Sequence, residues 1–332
     1  MSYLFPSSTI TFDAALRDLA AGSPKARAFA AHALGDVTEP VERRRAVDAL
    51  VRALDDDRPE VRAEAASSLG TLAEPSAIAP LIKRLDDGAA PVRQNAAIAL
   101  GTMRAADGFA PLAEALAEGP ADLRFQAATS LAEIDPQRAF DHVVKALGDR
   151  DPQVVGAAAL SVGAIASELG EPERKDAAKT ALLAQLTHGD AGARFDVAYA
   201  LADLDDTTGK DVLAGALADE GRAWDAVTAL ARIAATPELA KAVTNKKTPE
   251  EAKTLAAGRL LVREPDHLAA RKTLLDGLSS RKVHVRGIAI EQLGEVGGAW
   301  AKLSLDKLAR SGKGADLLEP IANALRAIEG KP

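Results

Sequence analysis

The chain has 332 residues, a formal net charge of −7 from 41 basic and 48 acidic side chains, and no cysteine. The missing cysteines exclude disulfides, thiolate catalysis and cysteine-based zinc sites, and the negative charge disfavours nonspecific binding to a nucleic-acid backbone. Residues 1–6 lack the features of a signal peptide, and no apolar run reaches the roughly 20 residues of a membrane span. We therefore expect a cytoplasmic protein with no membrane partner.

A short phrase recurs along the chain, and Pro91–Gly101 is one copy of it. Its leucine position, here called the repeat leucine, returns at intervals of about 30 residues, which is typical of a solenoid whose repeats bury their apolar faces only by stacking. We predict an all-α solenoid of about ten two-helix repeats. The repeat leucines are Leu34, Leu69, Leu100, Leu131, Val162, Leu201, Leu230, Leu260, Leu293 and Leu325.

Each repeat is predicted to contain two helices joined by a short polar loop. The first helix has apolar residues at helical spacing, as at Val47, Leu50, Val51 and Leu54. A loop such as Asp55–Pro59 follows, in which aspartate suits a helix N-cap and proline the first helical turn. The second helix carries the repeat leucine and ends near the glycine that follows it.

The second helices resemble the HEAT repeat, in the short bacterial form also found in phycobilisome lyases. Glu60–Gly70 shows the pattern well, with Val-Arg at its start and Leu-Gly at its end. The resemblance implies a right-handed α-solenoid whose second helices line the concave side, and it implies binding more often than catalysis. We interpret residues 1–332 as one domain. It comprises an N-terminal repeat (1–36), regular repeats (37–235) with an insertion near 167–174, and divergent repeats (236–332).

An arginine stands seven residues before the repeat leucine in most repeats. It could form a basic ladder for phosphate groups, but recurrence in repeat after repeat is typical of a structural position. We therefore expect each guanidinium to pair with a loop aspartate or carbonyl of its own or a neighbouring repeat, as the resemblance also implies. The arginines are Arg27, Arg62, Arg93, Arg124, Arg194 and Arg286.

A partner-binding surface is predicted on one stripe of the second helices. The stripe comprises the positions six and two residues before the repeat leucine and two residues after it, which share a helix face. Four of the few aromatic residues fall on it, beside acidic residues, so we expect a groove for a protein or peptide with apolar anchors and basic flanks. The alternative is that the rings pack between alanine-rich repeats. The candidate contact residues are Ile98, Phe125, Leu160, Phe195, Asp196, Tyr199, Asp203, Trp224 and Asp225.

Catalytic and cofactor sites are not indicated by the sequence. The five histidines lie in separate repeats and do not form a metal-binding motif, so we expect no metal and no cofactor. An alkylpurine DNA glycosylase of HEAT-like architecture is the main enzymatic alternative, with Trp224, Asp225 and Arg222 or Arg232 in its site. Acidic flanking repeats argue against it, since a duplex binder must neutralise phosphates.

Residues 241–332 carry more basic than acidic side chains, so the charge of the chain is unevenly divided. A solvated surface is the ordinary interpretation of this basic end. It could also support self-association as a structural subunit, which is a third functional alternative. Tyr3–Phe5 could cover the first repeat. The basic residues in question are Lys241, Lys246, Lys247, Lys253, Arg271, Lys272, Arg281 and Lys282.

Overall fold

The computed structural model describes residues 10–187, 190–311 and 316–330. Within these ranges every regular element is a helix, and twenty α-helices follow one another along the chain. The all-α fold of paired helices that the repeat period predicts is therefore confirmed. The segment Tyr3–Phe5 lies outside the described residues.

Contacts within the chain define two compact units, residues 1–181 and 182–332, here called the N-terminal unit and the C-terminal unit. The single continuous domain inferred from the sequence stays a prediction. The boundary between the two units lies within α11 (Pro172–Leu186). The helices of the N-terminal unit that precede it are α1 (Phe12–Ala21), α2 (Pro24–Leu34), α3 (Pro40–Ala53), α4 (Pro59–Leu72), α5 (Ile78–Arg84), α6 (Ala90–Thr102), α7 (Phe109–Glu118), α8 (Ala121–Ile134), α9 (Pro136–Ala146) and α10 (Pro152–Leu169).

The C-terminal unit continues the alternation of first and second helices, with odd-numbered helices first and even-numbered helices second. Its helices are α12 (Ala191–Asp203), α13 (Lys210–Gly215), α14 (Ala223–Arg232), α15 (Thr236–Thr244), α16 (Glu250–Arg263), α17 (Leu268–Leu278), α18 (Val283–Val296), α19 (Ala299–Ala309) and α20 (Leu318–Glu329). The divergent residues 236–332 thus keep the two-helix pattern.

Aspartate and proline start many of the second helices, although not always in the predicted roles. Asp151 is an N-cap whose carboxylate accepts a hydrogen bond from the backbone N–H of Gln153 at 2.9 Å, as expected. Before α4, however, the N-cap is Arg58, and Asp56 accepts from its N–H at 2.9 Å. The loop aspartate there orders the turn that precedes the helix.

The repeat leucines form the centre of the hydrophobic core, because nine of the ten positions are fully buried. Leu325, in the last helix, is half-buried. Burying a leucine side chain contributes roughly 1.5–3 kcal/mol, and this contribution is repeated along the stack.

The glycine after the repeat leucine serves close helix packing. α4 and α6 both continue past it, to Leu72 and Thr102. A Cβ at Gly70 would lie 2.8 Å from the Cβ of Ala99, and one at Gly101 would lie 3.0 Å from the Cα of Ser130. Glycine facing a small residue therefore lets successive second helices approach each other, which accounts for the alanine-rich, aromatic-poor composition.

The insertion near residues 167–174 lengthens helices more than a loop. α10 has 18 residues and is capped by Gly170, which adopts φ +69°, and α11 begins two residues after this glycine. Among the described residues, α10 alone has the length and composition of a membrane span, and most of it is buried in the protein.

Candidate functional site

The arginine seven residues before the repeat leucine forms a ladder of ion pairs in the N-terminal unit. Arg62 donates to both carboxylate oxygens of Asp87, at 2.8 and 2.7 Å, and to the carbonyl oxygen of Asp56 at 2.9 Å. The same arrangement joins three other pairs of repeats, namely Arg27 with Asp56, Arg93 with Asp122 and Arg124 with Asp149.

These ion pairs are structural, as predicted. Burial alone would raise the pKa of Asp87, but the hydrogen bonds from Arg62 and the Ala89 N–H hold it below its usual value. In the C-terminal unit, Arg286 is buried and donates to the carbonyl oxygen of Ser280 at 2.9 Å, which also fits the prediction. Arg194 differs from them in being exposed, and its pairing stays a prediction.

The three candidate contact residues of the N-terminal unit are exposed. Ile98 on α6, Phe125 on α8 and Leu160 on α10 are 43%, 40% and 39% exposed. These helices pack against one another in that order, so the three side chains belong to successive repeats. Exposed Thr129 and Glu133 share the face with them. Partly exposed apolar groups on one stripe of neighbouring repeats could anchor a partner.

In the C-terminal unit the stripe is only partly exposed. Trp224, at the start of α14, is 42% exposed, but Phe195 on α12 is buried, so its predicted place in an open groove is wrong. The guanidinium of Arg222 covers the Phe195 ring at 5.2 Å from its centroid. Tyr199 is half-buried, and Arg232 lies 5.8 Å from its ring centroid. For these two rings, packing between repeats is the correct alternative.

The acidic residues beside this stripe were expected to bind the basic flanks of a partner, and two of the three are not free, exposed carboxylates. Asp203 forms an ion pair with Arg232, so its charge is already neutralised within the chain. Asp196 is half-buried, and burial raises its pKa; Arg222 opposes this effect, and Asp190 and Asp225 reinforce it. Asp225 is exposed.

A groove that the sequence analysis missed lies in the C-terminal unit, on the second helices α16, α18 and α20. Its volume is about 780 Å³. The lining includes the same stripe positions in later repeats, but apart from Val262 these positions carry glycine, alanine or a polar residue. A sequence search for large apolar residues on the stripe could not find this groove. The sequence feature that indicates it is Gly287, six residues before the repeat leucine Leu293. The residues that line the groove include Arg259, Val262, Gly287, Ile290, Glu291, Gly294, Glu295, Asn323 and Ala324.

The basic end is divided between paired and exposed cations. Lys282 donates to the carboxylate of Glu251 at 2.9 Å, and Nε2 of His284 lies 2.7 Å from the same oxygen. The hydrogen bonds from His284 and Lys282 lower the pKa of Glu251 to about 2. Arg271 pairs with Asp266 and lies over the ring of Trp300. Five of the remaining residues are exposed, namely Lys241, Lys246, Lys247, Lys272 and Arg281.

Two of the site types considered in the sequence can be compared with the described residues. No group of three or more histidine, aspartate or glutamate residues there could hold a metal ion. The glycosylase alternative needs a free arginine beside Trp224, but Arg222 covers Phe195 and Arg232 pairs with Asp203.

Among the described residues, twenty helices form ten pairs, and the repeat leucine is fully buried in nine of them. This arrangement defines a helical repeat protein of the α-solenoid class. The family model of HEAT repeats matches residues 14–101 and 109–177, and that of the PBS lyase HEAT-like repeat matches residues 92–118. Residues 14–177 of the chain are therefore similar to HEAT repeats. No curated protein matches it significantly.

Several solved structures are similar to the chain at low sequence identity. An engineered protein is 21% identical over 97% of this chain and 99% of its own, with a TM-score of 0.41. The complex of CpcE and CpcF of phycocyanin lyase from Nostoc sp. PCC7120 is 22% identical over 70% of this chain and 92% of that chain, with a TM-score of 0.46. A designed armadillo repeat protein is 19% identical over 58% of this chain and 100% of its own, with a TM-score of 0.39.

Proposed function

We propose that this protein is a noncatalytic scaffold that binds another protein through the exposed face of its second helices. The observation that carries the proposal is the exposure of Ile98, Phe125 and Leu160 in three successive repeats of the N-terminal unit. Single exposed apolar residues are ordinary, but an aligned set on adjoining helices is a candidate interface. A cytoplasmic location, expected from the sequence, is part of the proposal.

The partner that suits this face has apolar anchors and basic flanks. Glu133 is exposed on α8 together with Phe125, and the chain as a whole is acidic, so a basic segment would be attracted to it. Stacked helices hold these side chains in place before binding, which reduces the entropy lost on association. Trp224 and Asp225 offer a similar pair of groups in the C-terminal unit.

Partner capture with matched variants tests this function. Phe125→Ala should weaken binding to a captured and purified partner by roughly 2 kcal/mol, which is about 30-fold in Kd, as truncation of an interface hot spot does. Leu160→Ala should also weaken binding. Its matched control is Leu275→Ala, because Leu275 is 42% exposed on the first helix α17.

Equal affinity of Phe125→Ala, Leu160→Ala and Leu275→Ala would contradict the proposed surface. Failure to capture any protein, together with a mass that rises with concentration, would favour the self-assembling alternative. Recovery of nucleic acid alone would favour the enzymatic alternative.

A further inference from the structure

The groove on α16, α18 and α20 has an apolar floor and one apolar wall. Ile290 on α18 is buried beneath it, and Val262 on α16 is 53% exposed at its side. At Gly294 a Cβ would lie 3.0 Å from the Cα of Ala324, so α18 and α20 approach closely and the floor between them is closed by backbone and small groups.

Gly287 keeps the groove open, and close helix packing does not require a glycine at this position. It lies inside α18, where glycine in place of alanine costs roughly 1 kcal/mol. A Cβ at Gly70, Gly101 or Gly294 would press on the next helix, but a Cβ at Gly287 would have nothing within 4 Å. Close helix packing therefore explains the first three glycines and leaves Gly287 unexplained. A side chain there would occupy the groove.

The charged groups of the groove leave one carboxylate available. Arg259 and Glu295 form an ion pair with each other. Glu291, one turn before Glu295 on α18, is exposed and forms no ion pair among the described residues. The amide oxygen of Asn323 accepts a hydrogen bond from Arg326. An occupant that fits these charges is apolar for most of its contact and presents a single cation to Glu291.

The width of the groove favours a peptide over a small molecule. It crosses three adjacent helices, and neighbouring helix axes lie about 8–10 Å apart, so it spans on the order of 20 Å. About six residues of extended chain, or a helix of three to four turns, cover this distance.

We propose that this groove binds a short apolar peptide segment of a partner protein, with one lysine or arginine of that segment paired to Glu291. This inference rests on the proposed function, because it assumes that the chain is a protein-binding scaffold. It assigns to the C-terminal unit a second binding site, separate from the face formed by Ile98, Phe125 and Leu160.

The experiment uses the full chain and a phage-displayed library of random 12-residue peptides. Enriched peptides are synthesised with a fluorophore, and their affinities are measured by fluorescence anisotropy. We expect apolar sequences that contain a basic residue. Gly287→Phe should weaken their binding at least tenfold by filling the groove, and Glu291→Gln should weaken the binding of basic peptides more than that of variants lacking the basic residue.

Folding controls separate loss of the groove from loss of the fold. Gly287→Ala should raise the melting temperature, because alanine suits the helix interior and meets no neighbour, and it should still reduce peptide affinity severalfold. Glu319→Gln is the control for charge, since Glu319 is exposed on α20 outside the groove lining. It should leave peptide affinity unchanged.

The inference is overturned if no peptide is enriched, if the enriched peptides lack basic residues, or if they bind Gly287→Phe as tightly as wild type. Phe125→Ala distinguishes the two sites. Groove peptides should bind this variant normally, whereas a partner held by the N-terminal unit should be lost. Peptides that lose affinity for Phe125→Ala and keep it for Gly287→Phe would support the proposed function and refute the groove.

Discussion

The ion pair between Arg124 and Asp149 allows a quantitative test of the ladder. Nε and Nη2 of Arg124 each lie 2.8 Å from a different oxygen of Asp149, and Nη1 donates to the carbonyl oxygen of Gly119 at 2.8 Å. The two side chains are 5% and 11% exposed. We consider Arg124→Met, because methionine keeps much of the apolar stem and removes the charge.

The expected loss comes from the buried carboxylate that the substitution leaves behind. Asp149 would keep the hydrogen bond from the Asp151 N–H and lose both contacts with Arg124. Hydrogen bonds to charged groups contribute about 1.5–3 kcal/mol each, and breaking a buried ion pair on one side costs about 3–5 kcal/mol. We therefore expect Arg124→Met to lower the free energy of unfolding by about 3 kcal/mol.

Urea denaturation followed by helical circular dichroism at pH 7 measures this loss. Arg194→Met is the matched control: Arg194 occupies the same repeat position but is exposed, and surface substitutions usually change stability by less than about 0.5 kcal/mol. Because repeats contact mainly their neighbours, hydrogen exchange should increase most in α8 and α10. Equal stabilities of Arg124→Met and Arg194→Met would refute the structural role of the ladder.

The same variant has a defined pH dependence. Arg124 lowers the pKa of Asp149 in the folded protein, so the stability from this pair is present above the ordinary aspartate pKa and is lost as pH falls through the lowered value. The difference between wild type and Arg124→Met should therefore shrink in acid. A difference that grows as pH falls below 4 would contradict the sign of the shift.

Three further predictions concern burial. Leu131→Ala should lower the free energy of unfolding by about 2–5 kcal/mol, and Leu325→Ala, at a half-buried position, by clearly less; equal losses in urea denaturation would contradict the packing described. Phe195→Ala should destabilise the fold by about 3–5 kcal/mol, and a melting temperature like that of wild type would restore this ring to the binding surface. Burial raises the pKa of Asp196, so its contribution to stability is present at low pH and is lost as pH rises through the raised value. Asp196→Asn should thus melt at a higher temperature than wild type at pH 7 and at the same temperature in acid, and lower stability at pH 7 would refute the assignment.

The repeat architecture could be predicted because the same constraint recurs in every repeat. A leucine such as Leu100 must be buried between two helices, and an arginine such as Arg93 must satisfy the loop beside it, so both positions repeat in the sequence. A residue type that recurs at one position of many repeats indicates structure even where single repeats vary. It predicted the paired helices and the ion pairs of the N-terminal unit, but it did not predict that Arg194, at the same repeat position, is exposed.

The exposure of individual stripe residues could be predicted only in part. The helical period gives the direction of a side chain, and that direction was right for Ile98, Phe125, Leu160 and Trp224. Whether a side chain stays exposed also depends on its neighbours in space. Phe195 points along the same stripe and is buried, and the guanidinium of Arg222 lies across its ring.

The groove is significant because it contains a glycine that helix packing does not require. In a repeat protein most positions have a packing reason, and Gly70 and Gly101 show what such a reason looks like, since a Cβ at either would press on the next helix. Gly287 weakens its helix and relieves no contact, so packing alone would favour alanine there. A residue that stability disfavours and packing does not require is best explained by the surface that it creates, and here that surface is an apolar groove beside the exposed carboxylate of Glu291.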